Sequence, residues 1–474
     1  MSQFTFNIKP KETVDLDPLY SPMILNNIVF ENQVRKSLNP VEINIAIERS
    51  RGMIHREKCY IFNDTYHEQD ANFIYVERLI KTLLWVKGGF RIYLAGDEVI
   101  GRQVQDAYSI NGLREFDREF MSRVYEKPFE VIITTKENMP VENEVSKPIG
   151  RHLDGCRIGF DAGGSDRKVS AVINGEPVYS EEVVWHPKTN SNPDYHYEGI
   201  LDSISRAASK LPQVDAIGIS SAGIFIDNRV AVASLFRKVP KQLFDEKIKD
   251  IYIQIQKDFN GVPIEVINDG DVTALAGAMS LNSNNVLGIA MGTSEAVGYV
   301  DELGNITGWL NELSFAPVDY NKQSLLDEWS MDYGVGSTYF SQDAVIKLAK
   351  QAKIKLDDQI APAEKLKAVQ ELVEADDERA KKIFSTIGIY LGYTLPYYAR
   401  FYQIERVLIL GRVTSKKGGD IILSKAKEIL KTEFSELYHR MVITLPDEKS
   451  RRVGQSVAAA SLPKLEKEGL YEIK

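Results

Sequence analysis

The sequence predicts an α/β protein of more than one domain, on three observations. Its 474 residues are roughly three times the ~150 of a typical domain. Short apolar segments with strand-like alternation recur between stretches that carry the 3.6-residue spacing of helices. A polar, charged stretch at residues 136–154, broken by Pro140, Pro148 and Gly150, separates two regions rich in such segments and marks a linker.

Before the linker, Ile43, Ile45 and Ile47 alternate with polar neighbours, and residues 42–63 read as a two-stranded hairpin turning at Arg51-Gly52. Residues 73–86 have helical spacing, Gly88-Gly89 suits a helix-to-strand turn, and strands follow at 90–94 and 129–135. This amino-terminal α/β piece has no basic recognition helix of the kind that reads DNA. A packing or dimerisation role is expected for it, and with it a homodimer.

After the linker, a strand at 158–161 ends in Asp161-Ala-Gly-Gly-Ser, and a second, at 169–173, turns through Asn174-Gly175 into a third at 177–180. A helix at 197–210 precedes a strand at 216–220. The strand at 264–267 ends at Asn268-Asp269, before a helix of small residues at 272–279. The strand at 286–290 enters Met291-Gly-Thr-Ser, and 296–300 returns from it. Helices are expected at 342–351 and at 378–402, the latter interrupted by Pro396, and a last strand at 406–410 ends at Gly411. The charge-rich run 353–382 reads as a solvated helical face. Trp185 and Trp309 read as core or interface residues, and His186 and His196 as surface loop residues.

Composition excludes several classes. With 43% hydrophobic and 26% charged residues, the chain is neither disordered nor fibrous. Its 58 Lys and Arg against 67 Asp and Glu give a net charge of −9, so no overall field draws it to nucleic acid or anionic lipid. Both partners are disfavoured. Two cysteines, Cys59 and Cys156, and six histidines build neither a disulfide framework nor a close-spaced thiolate zinc site. No apolar run approaches the ~20 residues of a membrane span, and no secretory signal is readable, so a cytoplasmic protein is expected.

Two turns carry the chemistry. Gly163, Gly164 and Ser165 in one, and Gly292, Thr293 and Ser294 in the other, place Cβ-poor backbone and hydroxyls where N–H groups can approach an anion, unless both are plain hairpins. Asp161 precedes the first turn, where a carboxylate can hold Mg²⁺ through water, and Arg167 and Lys168 follow it as neutralising charges. Asp269, at a strand end, suits the carboxylate that orients an attacking hydroxyl and takes its proton, or else it caps the following helix.

In order, these segments resemble the motifs of the ROK family of sugar kinases and repressors, in the actin-like ATPase superfamily. The resemblance runs from about Arg157 to the carboxyl end. Gly159-Phe-Asp-Ala-Gly-Gly-Ser is similar to the first phosphate motif, Ile217-Gly-Ile-Ser-Ser-Ala-Gly to the strand and turn after it, and Asn268-Asp-Gly-Asp to the catalytic segment. Met291-Gly-Thr-Ser is similar to the second phosphate motif and Val407-Leu-Ile-Leu-Gly to the adenosine motif. The resemblance implies an actin-like, ribonuclease H-like two-lobed α/β fold with an additional amino-terminal α/β domain. It divides the chain into residues 1–150, a first lobe 151–280 and a second lobe 281–474 whose last helix packs back toward the first. It implies ATP and Mg²⁺ as cofactors, Asp269 as base, Asp161 beside Mg²⁺, Asn268 and Glu312 on the acceptor, and phosphate contacts from both turns and Lys168. Gly411 would border the adenosine.

The departures are equally specific. Asn311-Glu-Leu-Ser-Phe resembles the family's Glu-Ile-Gly-His segment with Phe315 in place of the zinc-binding histidine, and the cysteine-rich zinc loop has no counterpart. Val335 stands in the place of a cysteine, Ser337 in that of a second sugar-binding glutamate, and Arg412 where a second glycine is usual. No zinc is expected. The expected function is phosphorylation of a hydroxyl of a sugar or sugar-like small molecule. The alternatives are a non-catalytic sugar or nucleotide sensor and, third, a transcriptional regulator.

Overall fold

The alternating isoleucines build β1 (Val41–Glu48), which runs antiparallel to β2 (Ile54–Ile61) from Val41 opposite Ile61 to Glu48 opposite Ile54. Arg51 and Gly52 turn the hairpin with φ of 60° and 68°. β3 (Arg91–Ala95) joins β1 antiparallel and β4 (Glu130–Ile133) joins β3 parallel, giving the order β2-β1-β3-β4. The computed structural model describes residues 4–144, 148–446 and 454–465; positions 145–147 of the linker at 136–154 lie outside the described residues.

The helix Gln69–Lys87 reaches β3 through Gly88 and Gly89, with φ of 80° and 157°. Its charged residues Glu77, Arg78 and Lys81 do not face solvent; all three are buried. Arg78 donates to both oxygens of Asp332, at 2.6 and 3.2 Å, and Lys81 to both oxygens of Asp117, at 2.7 and 2.9 Å. Arg114 pairs with Glu77 and lies 2.8 Å from Asp332. Burial alone would raise the Asp332 carboxyl, but Arg78, Lys81 and Arg114 beside it hold it well below the usual carboxylate range. Helical spacing revealed the helix; the pairing that lets its charges sit inside is a tertiary property.

After the linker, β5 (Cys156–Ala162), β6 (Asp166–Ile173) and β7 (Glu176–Val184) form an antiparallel meander. Asn174 and Gly175, both at positive φ, make its second turn. β8 (Ala216–Ser221) pairs parallel with β5 and leads into a short hairpin of β9 (Ile224–Ile226) and β10 (Arg229–Val232). β11 (Ile264–Asn268) pairs parallel with β8, giving the order β11-β8-β5-β6-β7. Ile158, Phe160, Ile217 and Ile219 pack with Ile200 and Ile204 of the helix Pro193–Ala208.

Strand alternation turns Gly159 and Gly218 to the opposite face. These two glycines face each other in register, and a Cβ on either would come within 1.6 Å of a backbone oxygen, of Ser456 or Ala459. They admit the helix Gln455–Ala460, which packs on β5, β8 and the helix Asp269–Leu281.

The last sheet has the order β13-β12-β14-β15, from β12 (Val286–Met291), β13 (Glu295–Val300), β14 (Arg406–Leu410) and β15 (Val442–Thr444). The helix Glu378–Tyr398 runs through Pro396 and stops short of the expected residue 402; its Gly388 and Gly392 lie against Ile422, Lys425 and Ile429 of the helix Lys417–Glu433. Two compact units result: Met1–Val145 with Ile289–Val297 and Trp309–Leu445, and Ser146–Gly288 with Gly298–Gly308 and Pro446–Lys474. Among the described residues no helix is long and apolar enough to cross a membrane.

Candidate functional site

The unit that carries β5, β8 and β11 gathers several of the residues singled out from sequence. Asp161, near the end of β5, is 8% exposed, and its Oδ1 accepts a hydrogen bond of 2.8 Å from Ser220 Oγ. Burial pushes its carboxyl up to about 6, and the charge of Asp269 pushes the same way, while the Ser220 hydroxyl and Lys168 oppose them. Lys168 stands opposite Asp161 in the β5–β6 register.

Asn268, not Asp269, caps the helix Asp269–Leu281: its Oδ1 accepts from Gly270 N at 2.7 Å, and its Nδ2 donates to Gly223 O at 2.7 Å. Asp271, two residues on, accepts from Tyr299 N at 3.0 Å. Asp269 is thereby spared the cap. Its carboxyl is raised by burial against the pull of the Gly270 N–H, its own N–H and the charge of Lys188. Among the described residues no cation forms an ion pair with it. Gln455 Nε2 donates to Ser220 Oγ at 2.9 Å and to the Asp269 carbonyl at 3.2 Å, tying the ends of β8 and β11 together.

The first glycine turn is tied down by Trp185, which is 2% exposed. Its indole N–H donates to Gly163 O at 2.8 Å and Asp166 O at 3.1 Å, and its backbone N–H to Ser165 O at 3.1 Å. His196, read from sequence as a surface residue, is fully buried among Trp185, Tyr195 and Phe236; His186 is exposed as expected.

The other unit holds the second turn. Gly292 N donates to Ser294 O at 3.0 Å, Thr293 and Ser294 are exposed, and Ser294 Oγ lies 3.0 Å from Ser314 Oγ. Gly411, at φ 94°, brings β14 so near β12 that a Cβ would stand 2.3 Å from Met291 O. Arg412 is exposed and opens the turn Arg412–Thr414. Glu312 is half-buried, its N–H bonded to Trp85 O at 3.0 Å. Phe315 packs on Trp85, Phe116 and Phe120 at ring distances of 4.6, 5.4 and 6.1 Å. Val335 is buried, and Ser337 donates to Asp327 Oδ1 at 2.8 Å. Trp309 lies under Lys87 Nζ, 3.1 Å from the ring centre.

Sequence reading missed Ser220, Gln455, Lys188 and Glu295. Ser220 sits inside a quoted motif; the others lie outside every spacing pattern. Glu295, 3% exposed, follows the second turn: burial pushes its carboxyl up to about 8, and the charge of Glu312 adds to that against a 3.5 Å contact from Tyr398.

The chemistry of this donor set suits a divalent cation. Asp161 and Asp269 offer hard carboxylate oxygens; burial is the main cause of the rise of Asp161, and the repulsion from Asp269 that adds to it is what a cation would relieve. Among the described residues no cluster of three or more His, Cys, Asp and Glu side chains is arranged to hold a metal.

No protein-family model and no curated protein sequence matches the chain. Solved structures do. A ROK hexokinase from Thermus thermophilus superposes with a TM-score of 0.51 at 15% identity, over 65% of this chain and 96% of that one. A ROK family transcriptional regulator, a homologue of the E. coli MLC protein, gives 0.50 at 17% identity, over 65% and 79%. The chain therefore has the fold of the ROK proteins, a mixed α/β fold of the actin-like ATPase class, as the motif order implied. Within that class, it is similar to a sugar kinase and to a regulator alike.

Proposed function

We propose that the protein is an ATP- and Mg²⁺-dependent kinase, working in the cytoplasm, that phosphorylates a hydroxyl of a sugar or sugar-like small molecule. The observation that carries this reading is Asp269: a strand-end carboxylate relieved of capping, without an ion pair, whose charge acts on Asp161. In such a reaction the carboxylate orients the acceptor hydroxyl and takes its proton late, as the oxygen bonds to phosphorus. Asn268, through its remaining amide hydrogen, and Glu312 would hold the acceptor. Backbone N–H groups of Gly163, Gly164, Ser165, Gly292, Thr293 and Ser294, with Lys168, would receive the phosphates, and Gly411 would border the adenosine. Asp161, steadied by Ser220, would hold Mg²⁺ through water; the ion, when bound, offsets charge on the phosphate oxygens.

A second reading, a sensor that binds without turnover, is favoured by Phe315 and Ser337. One is packed among aromatic rings and the other bonded to Asp327, so neither supplies the groups that grip glucose hydroxyls in typical ROK kinases. Calorimetry with ATP, followed by labelled-phosphate transfer across monosaccharides, amino sugars and polyols, separates the two. For a kinase, Asp269→Ala abolishes transfer while nucleotide affinity stays within a few-fold; a variant as active as the parent refutes the assigned base. ATP binding without transfer to any acceptor supports the sensor.

A further inference from the structure

We propose that Lys188 is the cation that meets the phosphoryl group in transit. The proposal rests on the kinase reading above and adds to it a residue that no motif contains. Lys188 lies in the short turn Pro187–Thr189, directly after Trp185, whose three hydrogen bonds fasten the first glycine turn. Arg237 Nε holds the Lys188 carbonyl at 3.2 Å. The side chain then crosses the turn: a Cβ on Gly164 would stand 2.6 Å from Lys188 Nζ and 2.7 Å from its Cε. A side chain at 164 would push the end of that lysine aside.

Asp269 lies within range of the charge on that ammonium. Lys188 thus stands at the phosphate turn. The neighbouring cations have carboxylate partners. Arg167 pairs with Asp202 at 3.1 Å and lies over the Trp185 ring at 5.8 Å, and Lys168 is 3.8 Å from Glu182. Among the described residues no carboxylate forms an ion pair with Lys188. A half-buried ammonium without an ion pair, next to the first glycine turn, is electrostatically suited to an anion, and its three rotating donors can follow a moving phosphoryl group.

In the transfer, the bond from the terminal phosphorus to its bridging oxygen breaks and leaves the electron pair on ADP. The acceptor oxygen bonds to that phosphorus, and its proton passes to Asp269. Lys188 remains an ammonium throughout and balances charge on the phosphoryl oxygens.

The test measures MgATP and MgADP affinities of the full chain by calorimetry for the parent, Lys188→Met, Lys188→Arg and, as a control on the exposed face of the helix Ile251–Asp258, Lys257→Met. The parent should prefer ATP. Lys188→Met should lose ~10- to 100-fold in ATP affinity and stay within about two-fold for ADP, the loss of one charge-assisted bond to the terminal phosphate. Lys188→Arg should recover part of it, and Lys257→Met should leave the ratio of the two affinities unchanged. Unfolding curves that match the parent show that the variants are folded, and Lys188→Arg serves if Lys188→Met is not. A Lys188→Met protein with the parental ratio, or a parent without preference for ATP, overturns the role of Lys188 alone. A parent that binds neither nucleotide overturns the kinase reading, and the role of Lys188 with it.

Discussion

Glu295→Gln should stabilise the protein, by an amount that grows with pH. The carboxyl is 3% exposed, and among the described residues no hydrogen-bond donor reaches its Oε2. Burial lifts its pKa from 4.5 to about 8. Below pH 4.5 both the folded and the unfolded chain hold the proton, and the group costs nothing. Between 4.5 and 8 the unfolded chain releases it while the folded chain retains it, so stability falls as pH rises, by at most ~1.4 kcal/mol per pH unit. Above 8 both are ionised and the loss levels off at a ceiling on the order of 5 kcal/mol. Glutamine keeps the shape and removes the titration. The assay is denaturant unfolding of parent and variant at several pH values between 5 and 8, followed by a probe in the unit that holds β14, since a chain of two units need not unfold in one step. The expected difference between variant and parent widens by on the order of 1 kcal/mol per pH unit. A difference that stays flat, or narrows with pH, refutes the argument that this carboxyl is buried and protonated.

Three other outcomes follow from the same kind of reasoning. Asp332→Asn leaves Arg78, Lys81 and Arg114 facing only Glu77 and Asp117, and should cost ~3–5 kcal/mol in unfolding experiments. Gly218→Ala drives a methyl group into the Ala459 carbonyl; it should displace the helix Gln455–Ala460, and with it the Gln455 bonds to Ser220 and Asp269, so stability drops by ~1–3 kcal/mol or more. Protease susceptibility near residue 455 would report that displacement, and unchanged protection would count against it. Trp185→Phe keeps the bulk but removes the indole donor to Gly163 and Asp166; a loss of about 1 kcal/mol is expected, read from thermal unfolding.

The strands that flank the glycine turns were legible in the sequence because each combines alternation with a clear stop. β14, at Arg406–Leu410, and the helix Gln342–Gln351 coincide with their expected bounds for that reason. The six-residue helix Gln455–Ala460 was not legible: three successive alanines have no amphipathic signature, and what makes it a helix is the groove that Gly159 and Gly218 leave. His196 failed differently. Its polar neighbours suggested solvent, but the helix Pro193–Ala208 turns its ring against Trp185 and Phe236, where burial lowers its basicity. Asp161 and Asp269 were visible as strand-end carboxylates, whereas Lys188 reaches the first glycine turn, and Gln455 reaches Ser220 and the Asp269 carbonyl, only through chain segments that sequence spacing does not connect. The cap on Asn268 could not be told from one on Asp269 without coordinates, because both residue types cap well.

The backbone of Leu310, Asn311 and Glu312 donates to the carbonyls of Lys87, Val86 and Trp85 at 3.3, 3.1 and 3.0 Å. A fragment trimmed to begin at the first glycine turn would leave these three amides to water and strip Phe315 of its aromatic neighbours. The front of the chain is thus a splint for the stretch that bears Glu312, and evolution could not discard it without remaking the floor on which that glutamate rests.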